Sequence, residues 1–409
     1  MSGCSEQKMC VNTEQSVNVR DRAGRIEDAP LLKGISVLVV TSGHDATDHR
    51  IHNKLACSLK RMGADVAVVG HLEHPDPGEV RIITVPKATT RMRRFLLQPW
   101  RCLWAVRKAH PDVIHFHDAE MLITLPVLKM IRSRCKLVYD VHEDFANLML
   151  IRDWLPAGMK GISCALIEYI EKNLALLADA IVGVTPPLAA KFSNRRKISA
   201  YNFITRDFFE EAKKTAESPL KREFDLVHLG TLNLRRALFL AEVLAKFHKT
   251  RPGGKSLIVG ASREVSEKIR PLLPSNCTLV GEVPHTAIPK LLGSARVGLD
   301  VHPWPGAHLN VALPVKICEY MASECAVVSS VMPVLSTVMQ GAGGRLDGMN
   351  IISGGQPSDY ADAAVELIQA MEKGGHPGGE LRAFAFEHMI WENEADKIGG
   401  LYLELMGRR

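Results

Sequence analysis

Short runs of β-branched and aliphatic residues recur along this chain, each followed by a segment of helix length. Ile35-Ser-Val-Leu-Val-Val is the first run. Residues 48–62 then carry helical periodicity and end at Gly63, and Asp65-Val-Ala-Val-Val follows. Asp112-Val-Ile-His-Phe, Lys136-Leu-Val-Tyr-Asp-Val and Asp179-Ala-Ile-Val-Gly-Val continue the series. Near-continuous apolar strands are buried on both faces, which is the condition of a parallel sheet covered by helices on each side. The series then starts again with Phe224-Asp-Leu-Val-His-Leu, Leu257-Ile-Val-Gly, Thr278-Leu-Val, Val297-Gly-Leu-Asp-Val and Ala326-Val-Val. The polar stretch 206–223 between the two series reads as a linker. The expectation is an α/β protein of two Rossmann-like domains facing a central cleft, with ligands beyond the carboxyl ends of the strands.

Length agrees, since 409 residues exceed one ordinary core. No run of apolar residues is long enough to span a bilayer. The first thirty residues are polar, lack the apolar stretch of a secretory signal and read as a disordered leader. The nine cysteines are scattered with no C-x-x-C pair, which fits free thiols in a reducing cytoplasm. His115 and His117 have no Cys or His partners at ligand spacing, so no metal is expected. A net charge of +6 is modest and does not imply nucleic acid. No strand is followed by G-x-G-x-x-G, which argues against a dinucleotide enzyme.

Two helix starts carry unexpected cations. In Asn310-Val-Ala-Leu-Pro-Val-Lys-Ile-Cys-Glu-Tyr-Met-Ala, Pro314 marks a helix start and Lys316 falls in the first turn. A cation there opposes the helix dipole unless an anion such as phosphate binds at the same end. Glu319, one turn on, shares that face and suits vicinal sugar hydroxyls. The turn Gly230-Thr-Leu-Asn-Leu-Arg-Arg-Ala, ahead of a helix over 237–249, again places basic residues at a helix start. Phosphate plus ribose means a nucleotide.

The 310–322 run resembles the nucleotide-sugar motif of retaining GT-B glycosyltransferases, close to glycosyltransferase family 4. The resemblance extends from about residue 35 to 406, including Gly281-Glu-Val-Pro-His and the tail Trp391-Glu-Asn-Glu-Ala-Asp-Lys-Ile. It implies an acceptor-side domain over 31–205, a nucleotide-sugar domain over 206–390, and a helix over 391–409 crossing back to the first domain. It also implies a metal-independent transferase that uses an NDP-sugar as substrate and needs no cofactor. Counted from Gly230, Arg236 takes the position of a diphosphate-binding lysine. Thr231 replaces the family's arginine, and Arg235 is placed to compensate. Donor binding is thus expected at Gly43, Gly230, Arg235, Arg236, Lys316 and Glu319, with Gly43 standing in for a glycine-rich loop. Asp48 and Arg50 resemble the Asp-x-Arg version of that loop.

In Asp112-Val-Ile-His-Phe-His-Asp-Ala-Glu, alternation along a strand puts both histidines on one side. The resemblance sets His117 at the reacting centre, catalytic together with Arg236 and Lys316. Asp118 and Glu120 are expected to hold the acceptor, as are His142 and Glu143 of the Asp-Val-His-Glu run. Two departures stand out. Val311 occupies the place of the first of two glutamates eight positions apart, and Glu324-Cys-Ala replaces Gly-x-Pro. A non-hydrolysing UDP-sugar epimerase of the same fold and a non-catalytic nucleotide-sugar-binding protein remain alternatives.

Residues 87–108 hold Lys87, Arg91, Arg93, Arg94, Arg101, Arg107 and Lys108, no acid, and Phe95, Trp100 and Trp104. Basic residues beside tryptophan suit an anionic membrane surface. A surface helix with Trp104 in the core is the competing expectation. The acceptor is expected to be a glycan, a lipid-linked molecule or a small molecule, and the protein cytoplasmic with peripheral contact at the inner face of the membrane.

Overall fold

A computed structural model describes residues 31–408 apart from 76–77, 108, 132–133, 153–154, 305, 341–345 and the side chain of Arg91. The leader expected over 1–30 lies outside the described residues. The first sheet contains β1 (Ser36–Asp45), β2 (Asp65–His71), β3 (Arg81–Thr84), β4 (Val113–Phe116), β5 (Lys136–Val141), β6 (Ala180–Gly183) and β7 (Lys197–Ser199), in the order β3-β2-β1-β4-β5-β6-β7. The second contains β8 (Phe224–Leu229), β9 (Ser256–Val259), β10 (Cys277–Val280), β11 (Ala295–Asp300), β12 (Ala326–Ser330) and β13 (Met349–Ile352), in the order β10-β9-β8-β11-β12-β13. All these strand pairings are parallel. Strand order reverses beside β1 in one sheet and beside β8 in the other, and sheets of this type open their ligand crevices at such points.

Period-2 alternation sends successive side chains into separate cores. Val37 and Val39 enter a cluster on one face of the first sheet, and Leu38 and Val40 a cluster on the other. Likewise Val227 and Leu229 pack on one face of the second sheet and Leu226 on the other. Three strands carry no sequence signal: β3, β7 and β13. All are sheet edges of three or four residues, where one flank needs no apolar partner.

The polar stretch expected as a linker is largely helical. Thr205 caps the helix Arg206–Thr215, whose Phe208, Phe209 and Ala212 are buried in the second core. Its charges face outward while every apolar residue faces the sheet, so polarity conceals an amphipathic helix.

The chain crosses between the sheets twice, and the crossings run side by side. Ile204 pairs with Ile390, and the Trp391 amide donates to the Ile204 carbonyl at 2.7 Å. The last helix, Trp391–Leu405, packs Trp391, Ala395, Ile398, Leu401 and Tyr402 into the first sheet's core. Trp391 Nε1 donates to Ser58 Oγ at 3.0 Å. Trp391→Ala removes this fully buried side chain and costs about 3–5 kcal/mol. A urea titration should show the first domain's midpoint falling sharply, with the second domain's transition little changed.

Candidate active site

Two cavities lie at the carboxyl ends of the strands. One of about 450 Å³ belongs to the first domain and is lined by His44, Arg94, Phe95, His117, Glu120, His142, Glu143, Phe145 and Arg152, among others. The second, about 460 Å³, lies between the domains, with Thr185 and Asn202 on one side and Asn233, Arg236, His302, His308 and Val311 on the other. His142 and Glu143 line both. They follow β5, so a single strand end forms the shared wall.

On the second domain, Gly230 follows β8 with φ +104°, a conformation that favours glycine. A side chain there would stand 3.9 Å from Lys316 Nζ. Pro314 caps the helix Val315–Ala322 and sets Lys316 in its first turn, as the sequence predicts. Asn233 caps the helix Leu234–Thr250 by accepting from the Arg236 amide at 2.9 Å. The Arg236 side chain donates from Nε to the Val301 carbonyl at 3.0 Å. Arg236 Nη2 is buried with no hydrogen-bond partner among the described residues. Gly230, Arg236 and Lys316 therefore come together.

What joins the two cations is a residue the sequence reasoning passed over. Asp300, fully buried at the end of β11, places Oδ1 3.0 Å from Lys316 Nζ and 3.9 Å from Arg236 Nη2. Its Oδ2 accepts from His302 Nδ1 at 3.1 Å. Burial works to raise its pKa, but Lys316, His302 and Arg236 outweigh that and hold the carboxyl far below the usual carboxylate range. Burial lowers the pKa of Lys316 and of Arg236. The available signal was a carboxylate closing the apolar run Val297-Gly-Leu-Asp.

Three expected donor residues sit elsewhere. Arg235 is exposed and stacks on the Trp304 ring at 3.7 Å. Glu319 is buried and pairs with His285 Nε2 at 3.0 Å, and His285 stacks on His49 of the first domain at 3.9 Å. Gly43 lies by the first cavity, where a side chain would collide with Arg94, and its amide donates to Asp118 at 3.1 Å. Asp48 and Arg50 serve the first domain. Asp48 caps the π-helix His49–Ala56, and Arg50 Nη2 contacts both oxygens of Asp140 at 3.2 Å.

In the first domain Asp118 accepts from Thr41 Oγ1 at 2.7 Å, the Ser42 amide at 2.8 Å and the Gly43 amide, and pairs with His44 at 2.9 Å. Both oxygens thus hold the end of β1, although Asp118 also lines the first cavity. Glu120 is paired with Arg94 at 2.8 Å. Of the expected acceptor residues, His142 is bonded to the His117 ring, and Glu143 alone has no side-chain partner among the described residues. His117 is buried against His142, with its Nε2 lacking a partner among the described residues. Burial pushes the pKa of His117 well down and that of His142 to about 3, so both rings are neutral acceptors or donors at working pH.

Tertiary structure also brings Asp140 to His115 and His117, a grouping with metal-ligating atoms that sequence spacing conceals. Arg50 already neutralises that carboxylate, and His115 Nε2 donates to it at 3.1 Å. The group therefore reads as a hydrogen-bonded support for His117 rather than a cation site.

His44 is raised to about 9 from 6.5, mainly by its bond to Asp118. A folded pKa above the unfolded value gives stability that is complete below 6.5 and lost as pH rises through 9. The melting temperature of wild-type protein should fall over that window relative to its neutral-pH value, and His44→Gln should lose this component of the decline.

With this geometry in place, residues 53–204 match the family model described as Glycosyltransferase Family 4, and residues 223–370 the model described as Glycosyl transferases group 1. No curated protein sequence matches significantly. Among solved structures, sucrose-phosphate synthase from Thermosynechococcus elongatus superposes with TM-score 0.70 at 15% identity, covering 91% of this chain and 99% of that one. A glycosyltransferase from Rickettsia africae gives 0.64 at 13%, covering 92% and 99%. Anabaena HepE in complex with UDP and glucose gives 0.66 at 13%, covering 90% and 99%. The two family matches fall one on each sheet, and the chain is a glycosyltransferase of the GT-B fold.

Proposed function

We propose that the protein moves a sugar from a nucleoside diphosphate sugar to a lipid-linked or glycan acceptor, with retention at the anomeric carbon and without a metal ion. The observation that carries this reading is the wall shared by the two cavities. The interdomain cavity has on its second-domain side a buried guanidinium nitrogen with no hydrogen-bond partner among the described residues. The first-domain cavity meets it at His142 and Glu143. A diphosphate at Arg236 and Lys316 places its sugar toward that wall, and an acceptor hydroxyl from the first-domain cavity reaches the anomeric carbon on the face the diphosphate leaves, its proton passing to the departing phosphate oxygen as the new C–O bond forms. The bond electrons leave with the diphosphate, and the two cations stabilise the charge that develops there, the task a metal performs elsewhere. Closure of the domains excludes water. The HepE neighbour is a complex with UDP, which supports a nucleoside diphosphate here as well. Retention follows from the family resemblance. An epimerase needs an acid and a base in the sugar pocket, and of the three candidate carboxylates Asp118 and Asp144 are committed to His44 and Lys191, which leaves Glu143 alone.

Charge-assisted contacts to phosphate contribute about 1.5–3 kcal/mol each. Lys316→Ala and Arg236→Ala should each weaken NDP binding roughly ten- to a hundredfold by calorimetry. Turnover should persist in excess EDTA. Unchanged affinity in both variants, or activity that EDTA abolishes and Mg²⁺ restores, overturns this assignment.

Membrane contact is supported by the helix Arg91–Val106. Leu103 is buried, while Trp104 is 63% exposed, together with Met92, Leu96, Leu97 and Trp100. A second helix, Ala157–Ala175, leaves Met159, Ile162, Leu166 and Tyr169 exposed. No described helix is long and apolar enough to cross a membrane. Arg94 is tied to Glu120 and Lys87 to Glu73, so fewer cations are free for lipid than the sequence count suggests. Near an anionic leaflet each free one adds about 1 kcal/mol. The protein should co-sediment with phosphatidylglycerol vesicles at low salt and release at high salt. Arg93→Glu with Trp104→Ala should abolish pelleting. If wild-type protein ignores such vesicles, a soluble acceptor is the better reading.

A further inference from the structure

We propose that His302 is the residue that reads a hydroxyl of the donor sugar, an inference that rests on the donor site described above. His302 follows β11 and lines the interdomain cavity on the same side as Arg236. Its placement is fixed from two directions. The main-chain N–H donates to Ser330 Oγ at 2.6 Å, and Ser330 is itself bonded to Tyr360 at 2.6 Å. The ring is fixed by Asp300, whose Oδ2 lies 3.1 Å from Nδ1 while Oδ1 is held by Lys316.

A carboxylate only accepts, so Nδ1 donates to Asp300 and Nε2 is the ring atom left for a ligand. No described residue occupies Nε2. A sugar hydroxyl can both donate to and accept from such an atom, whereas an ionised phosphate oxygen can only accept. The diphosphate has its own partners in Arg236 and Lys316. Position 311 cannot serve the sugar. Val311 lines the cavity without a polar side-chain atom, and its carbonyl accepts from Thr185 Oγ1 across the domain boundary at 2.7 Å. Asp300 is thus a positioning residue that ties the sugar-reading imidazole and the phosphate-binding lysine to one carboxylate.

The decisive comparison is His302→Asn against His302→Gln, because the shorter amide reaches only the Nδ1 position and the longer one the Nε2 position. Affinities are measured by calorimetry for UDP, GDP and ADP alone, and for UDP-glucose, UDP-N-acetylglucosamine, GDP-mannose and ADP-glucose. The expected result is NDP affinity within about twofold of wild type in both variants. The preferred nucleotide sugar should bind about tenfold more weakly to His302→Asn, the size of one lost hydrogen bond in a closed site, with most of the loss recovered in His302→Gln. Equal losses on the NDP and its sugar would assign the ring to phosphate and overturn the proposal. So would unchanged binding of the nucleotide sugar by His302→Asn. If wild-type protein binds none of these ligands, the donor site itself is refuted and this inference with it.

Discussion

The first domain is organised around one buried carboxylate. Asp140, near the end of β5, receives the Arg50 guanidinium from the π-helix after β1 and the His115 ring from β4. His115 passes the connection on, since its other nitrogen accepts from Tyr402 of the last helix at 2.7 Å. The same oxygen lies 3.4 Å from His117. A buried carboxylate is tolerated only with such partners. Burial favours its neutral form, but Arg50 and the surrounding imidazoles hold its pKa well below the ordinary value. Strand, π-helix, returning helix and His117 are therefore placed by one charge.

The second domain repeats the device with the opposite purpose. Asp300 holds Lys316 and His302, and it stands within 3.9 Å of Arg236. One carboxylate faces a lysine and an arginine here, all three largely buried. In the function proposed above a diphosphate would bind against these two cations, and low dielectric would strengthen the attraction. Between the two charge centres lie contacts that cross the domain boundary, such as Thr185 Oγ1 donating to the Val311 carbonyl at 2.7 Å and the His49–His285 stack.

Much of the site was legible in the sequence where the signal is local. Pro314 and Lys316 announce a helix start, and a helix start fixes which residues its first turn presents. His142 and Glu143 follow a strand, and strand ends meet the cleft. Asp118 and Glu120 follow the same rule yet are spent on His44 and Arg94, which come from distant parts of the chain. Arg235 and Arg236 are adjacent, and helix geometry turns only one of them inward. The edge strands β3, β7 and β13 escaped because an edge asks little of its side chains.

The sequence by itself determined the two parallel sheets, their helical cover and the cations at two helix starts, because hydrophobic period and capping act over a few residues. Only the tertiary structure decided which polar groups are free. Asp140 with Arg50, Asp300 with Lys316, and Glu319 with His285 each join residues remote in sequence or brought together by strand order. A buried charge must be satisfied by whatever partner the fold brings within about 3–4 Å. That selection separates the residues that build the cleft from those that remain to meet a ligand.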